Sequence, residues 1–306
     1  MWTEPVGGIP NHREGHKYLP AGYKGGRLTL TAGTAVTTAD VSAALVLYYV
    51  ACPWMSNEIA FPSSTSDGGR WYTQKFFTPR MSLGTVAADT NYDVFAKPGS
   101  NDIHLYYGPA WTSATARAVG LSYIDAVPVD SMDKRNIYLG TIRGTALGQV
   151  DDSAAKRFVW NVQNRVLRNL IRVETTASWT YTTNTLRQAN NSTSNKVEYV
   201  CGLSIDVVSA RVAIATRNSI GGAEVSVGVG IDSTTVRSDL AHVGLSALNP
   251  PTDPPAQCWY AGYPGIGYHA LNWLESSQAV GTTTWLGVNG AAPSERNGHI
   301  EAWVMA

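Results

Sequence analysis

Three short-range pairings in this chain could in principle do chemistry. His12 and His16 lie four apart, the spacing that sets two imidazoles on one helical face for a metal, but Pro10 and Gly15 argue against a helix there, and no metal site is expected. Asp102 with His104, and His299 with Glu301, sit two apart on expected strands and so share a face. Either could be half of a hydrolytic site, although same-face polar pairs on strands are more commonly hydrogen-bonded surface. No P-loop, GxGxxG, HExxH, CxxC or GxSxG motif is present, and 23 acidic residues cannot be sorted into a glycosidase pair by spacing alone. No catalytic residue and no cofactor is therefore expected, and the chain reads as a non-enzyme.

Binding chemistry is better represented. The stretch CWYAGYPGIGYHALNW gathers Trp259, Tyr260, Tyr263, Tyr268 and Trp273, aromatic bodies with a polar handle, between glycines and a proline. Such rings can pack on the apolar face of a sugar, which makes these five the candidate glycan-binding residues of a surface site. The alternative is that they anchor a loop onto the domain beneath it.

The elements that must carry these residues are mainly β. Gly, Ser, Thr and Ala are abundant, and 10 Trp and 15 Tyr stand beside 5 Phe, a mixture that suits many short strands joined by small-residue turns. The 23 basic and 23 acidic residues cancel, so no nucleic-acid partner is expected. No apolar run of about 18 residues exists, and no membrane insertion is expected. The N-terminal sequence lacks a basic segment followed by an apolar one, so export by a signal peptide is not expected. Cys52, Cys201 and Cys258 are odd in number and far apart, which fits buried thiols in a reducing cytosol.

Four segments follow from the patterning. Residues 1–26 carry Pro5, Pro10 and Pro20 with no period and read as an aperiodic arm pinned either against its own domain or against another subunit. Residues 27–150 alternate as strands and form a small antiparallel β domain, with a short helical insert from Ser113 through Ala114 and Ala118 to Leu121. In residues 151–172, Asp151, Asp152 and Ser153 resemble a helix N-cap, and Ala155, Phe158, Val159, Val162 and Val166 follow at helical spacing. The segment reads as an amphipathic connecting helix, either plugging an open β domain or presenting Trp160, Arg157, Arg165 and Arg168 to another subunit. Residues 173–306 read as a sandwich or jelly roll, in which Gly228 and Gly230 on one strand face admit the close approach of a neighbouring backbone or subunit. The fold class is thus two antiparallel β domains joined by one helix.

In order along the chain, GRLTLTAGTAVTTADV, YDVF, Arg117-Ala118, YLGTIR, AAKRFVWNVQNRV, VETTASWTYTTNTLRQAN, GYHALNWLESSQAVGTTTWLGVNG and GHIEAWVMA resemble a module of tail-fibre and other virion surface proteins of tailed bacteriophages. The resemblance covers about residues 26–306. It implies a virion component assembled in the host cytoplasm and placed on the particle surface. Residues 1–26 would dock it to other capsid or tail proteins, a homo-oligomer (a trimer by preference) would form, and a host-surface glycan would be the contact. A tail fibre, a head fibre or spike, and a capsid decoration or tail connector subunit with no receptor role all fit it. A polysaccharide hydrolase is the third reading.

Overall fold

The computed structural model describes residues 22–220, 223–239, 241–243, 246–247, 255–288 and 296–306. Among them the chain is β throughout, broken by one 3-10 turn at Ala189–Asn191.

In the first half, β1 (Gly26–Thr29) pairs antiparallel with β2 (Val46–Ala51). Next, β3 (Asn91–Lys97) pairs with the long β4 (Ile137–Ala146), whose middle also pairs with β5 (Val159–Asn161). Leu28, Leu47, Tyr49, Phe61, Val94, Ile137, Leu139 and Ile142 close one apolar core between these strands. Fully burying such a side chain is worth about 1.5–3 kcal/mol relative to leaving it in water.

The second half is a two-layer sandwich. One layer holds β6 (Leu167–Val173), β8 (Val208–Asn218), β10 (Pro255–Gly262), β12 (Thr283–Leu286) and β13 (His299–Met305); the other holds β7 (Lys196–Cys201), β9 (Ala223–Ile231) and β11 (Gly267–Ser277). Strict alternation decides which residues face inward. Ala210, Val212, Ile214, Ile300, Ala302 and Val304 of the first layer meet Val197, Tyr199, Val225, Val227, Val229, Leu271 and Trp273 of the second. The second layer continues into the first half through Lys156–Arg157, which pairs parallel to β7, and then Gln149–Asp152 and β4. One fourteen-stranded sheet therefore runs through both halves.

The expected connecting helix over 151–172 is corrected to strands. Ser153 and Lys156 exchange backbone hydrogen bonds in a tight turn, and Phe158, Val159 and Trp160 enter a strand buried on both faces. Asn164 turns the chain at φ 55° into β6, which pairs along its whole length with β13. Asp152 does not cap a helix; its two carboxylate oxygens receive Arg157 and Arg168, each at 3.1 Å. Ser113–Leu121 is likewise a loop. The Ala114 carbonyl, which a helix would need, instead accepts the Tyr268 amide at 2.8 Å and the Asn91 side chain at 2.7 Å.

Residues 1–21 of the expected arm lie outside the described residues. Its end at residue 26 moves, since Lys24 is 2% exposed and bridges to Ile59, and Gly26 opens β1. Pro250, Pro251 and Pro254 also lie outside, whereas Pro255 begins a strand.

Candidate functional site

The motifs quoted above converge on buried polar joints. Asp93, in the middle of the apolar β3, receives Arg117 through Nε at 2.6 Å and Nη2 at 3.1 Å. The Thr141 hydroxyl donates to the same carboxylate at 2.7 Å and exchanges a 2.6 Å hydrogen bond with the Tyr138 hydroxyl. Arg117 also donates to the Gly202 carbonyl at 2.7 Å and lies 4.5 Å from the centre of the Trp111 ring. Burial alone would lower the Arg117 pKa, but hydrogen bonding and charge from Asp93 and Tyr138 outweigh it and hold it above its ordinary value. Asn161 and Asn164 belong to the same cement. Asn161 accepts the Leu28 amide at 2.6 Å and donates to the Leu28 carbonyl, and Asn164 donates to the Lys24 and Gly26 carbonyls.

Tyr268 belongs to a second joint. Its ring sits 3.9 Å beneath the Arg143 guanidinium, edge-on to Phe158, and its hydroxyl donates to Glu198 at 2.5 Å. Burial first, and then the Glu198 carboxylate, push its phenol far above the ordinary tyrosine range. Trp273 is 0% exposed in the sandwich core against Trp179. Trp273 is thus internal and Tyr268 half-buried in a joint, which corrects the expectation that all five aromatics share one contact surface. Tyr260 is half-buried against the core, while Trp259 is 43% and Tyr263 62% exposed.

The expected subunit contact is revised on the same ground. Trp160 is 1% exposed beneath Tyr138, and Arg157 and Arg168 are buried on Asp152. Arg165 pairs with Asp206 at 2.8 Å and lies over the Trp160 ring, 5.6 Å from its centre. Arg157, Arg165 and Arg168 are each taken up by a carboxylate of the same chain.

The exposed pair Trp259 and Tyr263 lies instead on, and just beyond, the outer face of the β8-bearing layer. Register places Asn169, Trp303, Ser209 and Ala261 in one row across four strands, and Ile171, Glu301, Arg211 and Trp259 in the next. Arg211 and Glu301 form an ion pair at the centre of this face. Trp303, Arg211 and Ser209 were not singled out by the sequence reading. The signal was available in the alternation of EAWVM, which sets Trp303 opposite in facing to the buried Ala302 and Val304.

The hydrolytic pairings do not assemble. The His299 Nε2 lies 3.8 Å from Glu301, whose carboxylate already holds Arg211. The Asp102 carboxylate caps the amides of Phe77 and Ile103. A further pairing, Asp232 with His269, brings Oδ2 and Nδ1 to 2.8 Å on a histidine 3% exposed, and the other ring nitrogen has no hydrogen-bonding partner among the described residues. No hydroxyl or thiol nucleophile is thereby held on that ring. His12 and His16 lie outside the described residues, and among those described no group of three metal-ligating side chains occurs.

No family model and no curated protein matches the chain. Seven chains of solved structures match. One of them, "Structure of infectious bursal disease virus Gx strain", is 12% identical with a TM-score of 0.22, covering 90% of this chain and 78% of that one. A likeness of that size carries no argument. What the coordinates define is an all-β protein of sandwich-like layers with polar joints between its halves.

Proposed function

We propose that the chain is a non-enzymatic structural protein of a tailed-phage particle, exposed on its surface and contacting the host through the outer face of the β8-bearing layer. The observation that carries this reading is where the motif residues fall. Asp93, Arg117, Tyr138, Thr141, Asn161, Asn164 and Tyr268, from five of the stretches that resemble virion surface modules, meet in buried joints rather than around a cleft. Residues whose work is to hold sheets together fit an assembly component, and they leave the outer face free for contact.

In this reading the residues ahead of Lys24 dock the protein to capsid or tail proteins and the assembled form is a homotrimer. Cryo-EM of the particle that carries the chain tests it. These residues against other virion proteins with Trp259 outward is the expected result. The same face closed between neighbours would favour a decoration or connector subunit without a receptor. Absence of the chain from purified particles by mass spectrometry would overturn the reading.

A further inference from the structure

On the outer face, Trp303 pairs with Ser209, Ser209 pairs with Ala261, and Trp259 stands one row along beside Arg211. Tyr263 follows Gly262, the last residue of β10 and the partner of Val208; continued at strand spacing, it falls one row to the other side of Ala261. Ladder spacings of about 4.8 Å across and 3.4 Å along each strand put the Cα atoms of Trp259, Tyr263 and Trp303 about 12–14 Å apart, near the corners of an equilateral triangle. Its centre falls between Ser209 and Ala261, two of the smallest side chains. Three large aromatics therefore rim a shallow recess with a small-residue floor.

We infer that this recess is a binding site for a neutral hexopyranose unit of a cell-surface polysaccharide. The proposal rests on the host-contact reading above and names its ligand. Aromatic rings at the rim offer faces to the apolar C–H side of the sugar, while the indole and phenol edges and the Ser209 hydroxyl remain for its hydroxyl groups. Arg211 and Glu301 border the recess beside Trp259 and neutralise each other, with Arg211 39% and Glu301 13% exposed at the side chain. A pair of this kind can donate to and accept from hydroxyls, yet it gives no net field to recruit a polyanion. The triangle encloses about 65 Å², a small fraction of the ~800 Å² per partner that a stable protein interface buries. A single ring matches it better than a second copy of the chain.

The full-length protein would be titrated with maltohexaose, cellohexaose, a linear galactan and dextran, with hyaluronan as the anionic control, following tryptophan fluorescence and calorimetry. Binding of at least one neutral glycan is expected, weakened at least tenfold in Trp259→Ala and in Trp303→Ala. It should be abolished in Ser209→Trp, which fills the floor without removing an aromatic, and be unchanged between 0.05 and about 0.5 M salt. Circular dichroism confirms that each variant is folded.

Failure of every neutral glycan to bind, or binding that survives all three substitutions, overturns the proposal. Binding of hyaluronan alone, lost in salt, overturns it too. A change of oligomeric state in Trp259→Ala by light scattering assigns the face to a second copy instead. Adsorption of the labelled protein to a panel of bacterial strains separates the two levels. Adsorption without glycan binding leaves the host-contact reading standing, and neither result removes both.

Discussion

The guanidinium of Arg143, on β4, lies 3.9 Å above the centre of the Tyr268 ring, on β11, so that one stacked pair ties the first half of the chain to the second. Arg143 is held from the other side by Asn91 at 3.0 Å and Asp89 at 3.2 Å. Tyr268→Phe, which removes only the hydrogen bond to Glu198, is expected to cost about 1–3 kcal/mol in urea unfolding. A double-mutant cycle with Arg143→Met should return a coupling of about 0.5–2 kcal/mol. Unchanged stability with reduced host adsorption would instead make Tyr268 a contact residue.

Arg117 and Asp93 form the other joint, with side chains 10% and 7% exposed. Arg117→Ala strands a buried carboxylate and is expected to destabilise by about 3–5 kcal/mol. Adding Asp93→Ala should recover part of that loss. A double variant no more stable than Arg117→Ala would show that Arg117 acts through Gly202 and Trp111 and not through the carboxylate.

Lys24 gives a prediction in pH. Its amine is buried, donates to the Gly22 carbonyl at 3.3 Å, and has its pKa lowered by burial from 10.5 to about 7. Between those values the unfolded chain holds a proton that the folded chain does not, so stability is greatest above pH 10.5 and falls as pH drops, by about 1.4 kcal/mol per pH unit. Lys24→Met should flatten this slope and raise stability at pH 7 by about 3–5 kcal/mol. Identical pH profiles for the two proteins, in denaturant titrations from pH 7 to 10, would refute the assignment.

Past its short pairing with Ser246–Ala247 at Ala223 and Glu224, the outer edge of β9 is covered by residues 237–239, where Ser238 also donates its amide to the Val229 carbonyl at 2.8 Å. Asp239 accepts the Val229 amide at 3.0 Å, the Ser238 hydroxyl accepts the Ile231 amide at 3.1 Å, and Arg237 donates to the Val227 carbonyl at 2.8 Å. Gly228 and Gly230 leave room for this segment. A Cβ at Gly228 would come within 3.0 Å of Arg237, and one at Gly230 would collide with the Ser233 carbonyl. Asp239→Ala should cost about 2–3 kcal/mol and produce association that grows with concentration in size-exclusion chromatography. Loss of stability without association would mean that the edge is shielded by other means.

Much of the β architecture was legible because its strands alternate strictly. Ala223–Ile231 and His299–Met305 set apolar residues at every second position and are strands. The close approach expected at Gly228 and Gly230 is made by the chain's own 233–239 segment. The 151–172 segment misled, because Phe158 through Trp160 are buried on both strand faces and the apolar positions around them fall by coincidence at helical spacing. What decides it is pairing with strands distant in sequence, which no local window contains. The charged residues misled for a related reason. Asp152, Arg157 and Arg168 look like a solvated cap and face until the fold brings them together, although a lone Asp93 amid Tyr92, Val94 and Phe95 already announces that a partner must come from elsewhere. On the outer face, the exposed aromatics Trp259 and Tyr263 were found from composition; the facing of Trp303 was readable in the alternation of EAWVM, but its place beside Ser209 needed the register.

The covered edge of β9 also bears on how many copies can stand side by side. Proteins arrayed on one scaffold meet their neighbours at an effective concentration far above that in solution, and an open strand there would template its own copy. Along most of β9 three consecutive residues, Arg237, Ser238 and Asp239, occupy the outer edge with groups that cannot repeat as a ladder, so dense display need not become polymerisation.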